Sequence, residues 1–282
     1  MNDLKIAVMP QCLTPNLHEG LRLAVELGVD ALHPSASGAW DPYQIDAAGR
    51  QALKELVASH DLAISAVSGW GGGIDLGERE CHERAIADGK VLLDFVVDLE
   101  CHLWQAHIGI LPWEESDPTW QAAVDACGVL AEYGEQVGGS LCIETGPEPP
   151  WVLKRLMETI HSPALSINYD PANLIIWPVI LCQIQGRPYD RAWADEHFNP
   201  ERGAELLGPW ITHTHAKDAR ITEALNHQEV PLGDGDLDWP RYVANLRAAG
   251  FDGYFAIERE VGDDRVADAR RGVEFLRGIS VA

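Results

Sequence analysis

Segments that favour β-strands alternate with segments of helical periodicity along the whole chain of 282 residues. The strand-like segments are 4–9, 29–34, 62–70, 103–111, 140–146, 164–170, 210–217 and 253–260. Apolar residues at helical spacing follow each segment, and a longer, partly irregular region at 171–208 follows the sixth. Eight strand–helix units in a chain of this length predict an α/β fold with a single (β/α)8 barrel, a TIM barrel, over residues 1–282.

A doubly wound open sheet is the alternative fold for alternating strands and helices. It generally has fewer units and a glycine-rich first turn. Here the first strand leads into MPQCLTPN at 9–16, which contains no GxGxxG pattern.

Local signals also mark helix ends. We expect Gly28 to end the first long helix, Pro150 to lie in the first turn of another, and Asp238 to cap a third.

The composition restricts the kinds of partner. A net charge of −23 argues against DNA or RNA and against anionic membrane surfaces, because proteins that bind them normally present basic surfaces. No apolar run is long enough to span a membrane, and the start MNDLKIAVM is too short and too charged for a signal peptide. The six cysteines are scattered without a CxxC pair, which predicts reduced thiols. We therefore expect a soluble, cytoplasmic protein.

Acidic and imidazole side chains occupy the ends of the last four strand-like segments. Glu144 lies near the end of the fifth segment and Asp170 ends the sixth, while His215 lies in the seventh and Glu258 in the eighth. Catalytic groups of (β/α)8 barrels lie at the carboxyl ends of the strands. A carboxylate inside a barrel is unfavourable unless it is paired, hydrogen-bonded or bound to a metal. Four such residues at four successive strand ends predict a metal site.

The donor types restrict the metal. Three carboxylates and one imidazole suit Mn²⁺ or Mg²⁺, with Zn²⁺ and Co²⁺ as alternatives. A structural zinc site would favour thiolates, and the chain offers no cysteine pair. We expect one divalent ion per chain, with Mn²⁺ as the first choice.

The segment ITHTHAKDA at 211–219 alternates like a strand and carries two histidines and a lysine. Residues i, i+2 and i+4 of a strand point to the same side, so His213, His215 and Lys217 are expected to line one wall. For an isolated HxH pattern, the alternative is a buried histidine beside a solvated charge. The acidic strand ends favour a metal ligand beside a cation that contacts substrate.

Five motifs in the second half of the chain support a family assignment. They are IETG at 143–146, NYDPANL at 168–174, HTHAKD at 213–218, PLGDGDLDW at 231–239 and AIERE at 256–260. In this order they resemble the xylose isomerase-like, or sugar phosphate isomerase/epimerase, superfamily of TIM barrels. The first half is similar mainly in its rhythm of strands and helices, with SGWGGG at 68–73 and QAHIG at 105–109 as weaker matches.

The resemblance implies roles for individual residues. It implies that Glu144, Asp170, His215 and Glu258 bind one divalent metal. In related ketose 3-epimerases the two glutamates are also the acid/base pair, which makes Glu144 and Glu258 the catalytic candidates. Lys217 would then reach the substrate, with His213 as support one layer deeper.

Two positions differ from the ketose epimerases. Many of those enzymes have a histidine three residues after the aspartate of the sixth strand, where this chain has Asn173, which we count as a substrate-binding candidate. They typically have an arginine beyond the seventh strand, where this chain offers Lys217. Both differences leave the exact substrate open. The apurinic endonucleases of the superfamily use a larger ligand set for a zinc cluster, and that set is incomplete here.

Two further residues have both a functional and a structural interpretation, and a third has a structural one. His107, at the end of the fourth strand, is a candidate for contacting substrate hydroxyls or a second metal, or else a hydrogen-bonded structural histidine. Trp70 is a candidate for stacking on a sugar, although packing is a serious alternative in a chain with ten tryptophans. His33 is expected to cap its own loop. The glycine-rich segment 231–239 lacks a P-loop lysine, so we interpret it as a loop over the barrel mouth.

These observations favour a divalent-metal-dependent isomerase or epimerase that acts on a small ketose, aldose or keto-polyol through an enediolate. One alternative is a metal-dependent dehydratase of a keto-inositol-like compound, and another is a non-catalytic sugar-binding barrel. Barrel hydrolases with an HxH motif carry it on the first strand, whereas here it lies on the seventh. The expected partner is a small sugar or polyol, with no nucleic acid and no membrane, and a homo-oligomer is left open.

Overall fold

The computed structural model describes residues 4–70 and 74–279, and most of its strands lie parallel around one axis. The barrel strands are β1 (Lys5–Val8), β2 (Ala31–Leu32), β3 (Ala63–Ile64), β4 (Val67–Ser68), β5 (Leu103–Ala106), β6 (Ser140–Glu144), β7 (Leu165–Tyr169) and β8 (Ile211–Ala216). A small hairpin, β9 (Asp218–Ile221) and β10 (His227–Val230), precedes the last barrel strand, β11 (Tyr254–Ile257). The strand order around the sheet is β3-β2-β1-β11-β8-β7-β6-β5-β4.

The two strands at the ends of this order close the barrel. Only Ser65 and Ala66 separate β3 from β4 in the chain. The two strands therefore fill one strand position of the barrel, and we call each such position a stave. The backbone N–H of Ser65 bonds to Leu32 on one side, and Ser68 forms a bridge with Ser35. Counted this way, the described residues form eight parallel staves. This confirms the predicted TIM barrel, and each of the eight strand-like segments contributes one stave.

Helices surround the staves. They are α1 (Pro10–Leu13), α2 (Leu17–Leu27), α3 (Ala47–Ala58), α4 (His82–Asp98), α5 (Pro118–Val137), α6 (Pro150–Ile160), α7 (Asn173–Ile184), α8 (Arg191–Phe198), α9 (Pro200–Leu207), α10 (Trp239–Ala248) and α11 (Arg265–Gly278). None of these helices is both long and apolar enough to cross a bilayer. The long region after the sixth stave thus consists of three helices, α7 to α9.

The predicted helix boundaries are confirmed where the sequence gave a physical reason for them. Gly28 ends α2 in the left-handed conformation, at φ 69°, which glycine adopts without a steric penalty. The side chain of Asp238 accepts a bond from the backbone N–H of Arg241 and so caps α10. Pro150 lies in the first turn of α6, where its missing N–H costs no hydrogen bond.

The staves are covered on both faces, as expected for parallel strands. All residues of β6 and β7 are buried. Large side chains such as Trp104, Tyr169 and Phe255 are also fully buried. Glu144 and His215 lie within this apolar environment, so their charges need partners close by.

Candidate metal centre

Four side chains that could ligate a metal converge at one end of the barrel. Glu144 is the last residue of β6, and His215 lies in β8. Asp170 directly follows β7, and Glu258 directly follows β11. Their strands are neighbours in the order β11-β8-β7-β6. One candidate ligand atom from each residue lies within 4.8 Å of those from the other three. The fold thus brings together the strand-end residues that the sequence singled out.

The imidazole of His215 is at the centre of this cluster. Its Nδ1 is 3.1 Å from Glu144 Oε1, 3.1 Å from Glu258 Oε2 and 3.6 Å from Asp170 Oδ2. His215 and Asp170 are buried, and the side chain of Glu258 is only 11% exposed. Water therefore does little to screen the charges of the cluster.

The electrostatics of the cluster follow from this geometry. Burial opposes ionisation of Glu144 and Glu258, but nearby positive groups outweigh it. His107 and His215 hold the pKa of Glu144 below its ordinary value, and His215 and Lys217 hold that of Glu258 well below. Burial would lower the pKa of His215, but the charges of the two glutamates hold it well above its ordinary value. For Asp170, burial dominates and raises the pKa to about 6.

The donor set fits a divalent cation. Asp170 Oδ2 is buried and has no hydrogen-bond partner among the described residues. An unpaired buried carboxylate oxygen is unfavourable, and a cation would remove that penalty. Three carboxylates facing one imidazole also leave an excess of negative charge. The group contains no cysteine, so it suits an ion that prefers oxygen ligands.

Neighbouring polar groups fix the orientation of Glu144. The side-chain amide of Asn173 donates to Glu144 Oε1 at 3.1 Å, and Gln105 donates to Oε2. His107 Nε2 lies 3.2 Å from the same Oε2. Gln105 was not among the residues predicted from the sequence. Its position two residues before His107 on β5 was a usable signal, because such residues share a side of the strand.

Lys217 lies beside the cluster and is paired with carboxylates. Its Nζ is 3.1 Å from Glu258 Oε2 and also bonds to Glu260. Burial would lower the pKa of Lys217, but the surrounding charges, Glu258 first, hold it well above the ordinary value. Glu229, on β10, was missed by sequence reasoning and lies 4.0 Å from the same ammonium. Nothing in the local pattern around Glu229 indicates this, because the hairpin brings it to the barrel mouth.

Two further histidines pack next to His215 inside the barrel. His213 is fully buried, with Nδ1 2.8 Å from Asn168 Oδ1 and Nε2 3.0 Å from Ser65 Oγ. The expectation that His33 caps its own loop is wrong. Its ring lies 4.8 Å and 5.2 Å from the rings of His213 and His215, and neither ring nitrogen has a partner in the described part of the chain. His33 directly follows β2, and its ring is directed into the barrel interior.

A cavity of about 850 Å³ opens above the cluster. Glu144 and Glu258 line it, whereas Asp170 and His215 are buried behind them. The four side chains predicted to bind substrate also line it, namely Trp70, His107, Asn173 and Lys217.

Most of the chain matches a known protein family. Residues 21–279 match a family model described as a xylose isomerase-like TIM barrel. The chain belongs to the xylose isomerase-like TIM barrel family. The resemblance seen in the sequence motifs is thereby confirmed. A comparison of this chain with curated protein sequences finds no match.

Solved structures share the fold of this xylose isomerase-like barrel. A xylose isomerase domain protein from Planctomyces limnophilus has a TM-score of 0.79 at 23% identity, covering 98% of this chain and 96% of that one. A xylose isomerase-like TIM barrel protein from Mycobacterium smegmatis, in complex with magnesium, has a TM-score of 0.73 at 16% identity, covering 99% and 98%. D-psicose 3-epimerase from Clostridium cellulolyticum H10, with D-tagatose, has a TM-score of 0.73 at 13% identity, covering 98% and 99%.

Proposed function

We propose that this protein is a divalent-metal-dependent isomerase or epimerase acting on a small ketose, aldose or keto-polyol. The observation that carries the proposal is the convergence of three carboxylates on His215 beside a cavity of about 850 Å³. Membership of the xylose isomerase-like family supports it. So does the shared fold with an epimerase whose structure contains D-tagatose.

The metal would be held by Glu144, Asp170, His215 and Glu258. Mn²⁺ is our first choice, with Mg²⁺, Co²⁺ and Zn²⁺ as alternatives, and one structure of the same fold contains magnesium. A cation in this position would polarise a substrate carbonyl and the neighbouring hydroxyl, which acidifies the adjacent C–H bond.

Glu144 and Glu258 are the proposed proton-transfer pair. They come from staves β6 and β11, flank His215 at 3.1 Å each, and both line the cavity. One carboxylate takes the proton from the carbon beside the carbonyl and leaves an enediolate, and the other returns a proton. Return to the opposite face gives epimerisation, and return to the neighbouring carbon gives isomerisation. Asn173 and Lys217 hold the two carboxylates in place, which favours transfer.

Metal analysis is the first test. Protein purified without chelator is expected to contain about one divalent ion per chain, to lose it to EDTA and to regain it from Mn²⁺. Protein that is metal-free and takes up none of the four candidate ions would contradict the proposal. A matched Asp170→Asn variant is expected to bind Mn²⁺ at least tenfold more weakly, because it loses an anionic ligand. Glu132→Gln, on the exposed side of α5, is the control.

The second test is exchange of substrate C–H bonds with D₂O. The Mn²⁺-loaded protein is incubated with a panel of ketoses and keto-polyols, and deuterium incorporation is followed by NMR. We expect incorporation together with an epimer or an isomer. A product lighter by one water would instead indicate the dehydratase reaction, in which the same proton abstraction is followed by loss of hydroxide. Tight sugar binding without any exchange would support the non-catalytic alternative.

Variants of the two glutamates test the proton-transfer roles. Glu144→Gln and Glu258→Gln are each expected to slow exchange by roughly 10²–10⁴-fold at saturating Mn²⁺, the usual contribution of general acid–base catalysis. Lys217→Ala, which removes a side chain that contacts Glu258, should slow exchange less than either glutamine variant. If both glutamine variants retain metal and exchange as fast as the parent protein, the glutamates are ligands only.

A further inference from the structure

The wall of the cavity above the candidate metal centre contains more carboxylates than cations. Glu144, Glu229, Glu258 and Glu260 line it, against Lys217 and Arg259. A ligand that enters this space therefore meets an anionic surface.

Both cations of the wall are already paired. The ammonium of Lys217 contacts Glu258 and Glu260, and Lys217 is 5% exposed. The guanidinium of Arg259 is 2.6 Å from Glu229 Oε1 through NH1 and 2.9 Å from Asp268 Oδ2 through Nε, and Arg259 is 8% exposed. Each cation thus faces at least two carboxylates. Among the described residues of the wall, neither lysine nor arginine is free to pair with a phosphate or carboxylate of a substrate.

The helix end beside the cavity does not offset this excess of carboxylates. Helix α7 begins beside the cavity, but the backbone N–H of Asn173 in its first turn already donates to Asp170 Oδ1 at 3.0 Å. Among the described residues of the wall, a phosphate group would therefore lose hydration without gaining an unpaired lysine or arginine.

A second part of the cavity wall is apolar. Ile176, Trp177 and Ile180 line the cavity from α7, and Trp70 and Val261 add to the apolar lining. Ile176 and Ile180 are four residues apart and so share one side of the helix. The cavity of about 850 Å³ lies toward the upper end of the range of roughly 300–1,000 Å³ for pockets that bind drug-sized molecules. It offers space and apolar surface beyond the polar end near Glu144.

We infer that the cavity takes an uncharged polyhydroxy carbonyl compound that carries an apolar substituent, rather than a sugar phosphate or a sugar acid. The hydroxyl-rich end faces Glu144 and Glu258, and the apolar end packs against Ile176, Trp177 and Ile180. This inference rests on the proposed function for the polar end, and it adds the substrate class.

Three derivatives of one sugar, two ethers and a phosphate ester, test the inference. They are 6-O-methyl-D-fructose, 6-O-benzyl-D-fructose and D-fructose 6-phosphate, which differ at a single position. Binding to the Mn²⁺-loaded protein is measured by titration calorimetry. We expect the benzyl ether to bind at least tenfold more tightly than the methyl ether, and the phosphate at least tenfold more weakly. Equal or tighter binding of the phosphate, or failure of the benzyl ether to bind, would overturn the inference.

Two variants assign the effects to the wall. Glu260→Gln removes one charge and is expected to reduce the disadvantage of the phosphate severalfold, with little effect on the benzyl ether. Ile180→Asn is expected to abolish the advantage of the benzyl ether, whereas Ile180→Leu should retain it. If Ile180→Asn proves unfolded by circular dichroism, Ile176→Asn replaces it. An unchanged ligand preference in folded variants of both kinds contradicts the inference.

Deuterium exchange separates this inference from the proposed function. Binding in the expected order without any exchange would leave the substrate class standing and reject the proton-transfer reaction. Exchange with sugar phosphates in preference to uncharged sugars would support the reaction and reject the substrate class.

Discussion

Glu148 shows how one buried carboxyl makes stability depend on pH. It lies in the loop after β6, is 3% exposed, and its Oε2 has no hydrogen-bond partner among the described residues. Burial raises the pKa of Glu148 to about 8. In the unfolded chain a glutamate titrates near 4.3, so the folded state holds this proton more tightly. The stabilisation is complete below about pH 4.3 and is lost as the pH rises through about 8.

The variant Glu148→Gln tests this, because a neutral amide does not titrate. The free energy of unfolding of the parent protein is expected to fall relative to the variant between pH 5 and pH 8.5. The difference should reach a few kcal/mol, at about 1.4 kcal/mol per unit of pKa. Urea unfolding at each pH measures it, with the exposed Glu132→Gln as control. Parallel pH profiles for the parent and Glu148→Gln would show that Glu148 is ionised in the folded state.

At the residue scale, the sequence predicts a side chain's position where that position follows from the alternation of side chains along a strand. Glu144 and His215 were found because barrel strands end at a common edge. Gln105 was within reach of the same rule. Glu229 was not, because its contact with Arg259 at 2.6 Å exists only once the hairpin folds over the mouth. His33 was misassigned because a residue after a short strand can face its loop or the interior, and the sequence does not distinguish the two.

At the scale of elements, alternation and helix caps predict the eight staves but not their irregularities. The third stave is broken at Ser65 and Ala66 into β3 and β4. The stretch from β8 to β9 has the alternation of one long strand, yet the chain leaves the barrel at Lys217 and pairs β9 with β10 instead. Local periodicity is the same on both sides of that point. Only packing across the sheet decides where a barrel strand ends.

Asp218 ties the loop at 231–239 to this turning point. Its Oδ2 accepts bonds from the backbone N–H groups of Gly233 at 2.9 Å and Gly235 at 3.2 Å, and from Trp239 Nε1 at 2.9 Å. A Cβ at Gly235 would lie 1.8 Å from Asp218 Oδ1, so only glycine allows this approach. The carboxylate therefore acts as the anchor of the loop.

We expect Asp218→Ala to destabilise the protein by about 2–4 kcal/mol, because the buried indole N–H of Trp239 and two partly buried backbone N–H groups lose their acceptor, at about 1–3 kcal/mol for a buried donor. Urea unfolding measures this, and Asp234→Ala in the exposed part of the same loop is the matched control. Hydrogen exchange of the loop amides should rise in Asp218→Ala alone. Equal stability of the two variants would show that the loop is held by its other contacts.

At the scale of the whole molecule, the cavity is assembled from segments far apart in the chain. Its wall combines Trp70 after β4, the side of α7, Glu229 from β10 and Val261 after β11. Each segment alone reads as ordinary loop, helix or strand. The fold class and the four candidate ligands could therefore be predicted, whereas the size and polarity of the cavity could not. These depend on how the insertions at the barrel mouth pack together.

The net charge of the whole molecule disfavours nucleic acids as partners. The chain carries 44 acidic side chains against 21 lysines and arginines, a net charge of −23. Affinity for DNA derives mainly from cations that neutralise phosphates and release counterions. The two cations that line the cavity, Lys217 and Arg259, are already paired with carboxylates.

We expect no measurable binding or cleavage of a duplex with an abasic site, even at low salt, where repulsion by carboxylates is strongest. Fluorescence anisotropy at two salt concentrations measures this, with and without Mn²⁺. A dissociation constant below roughly 10⁻⁶ M at physiological salt would be tighter than ordinary non-specific binding and would reveal a basic surface that these charges do not predict.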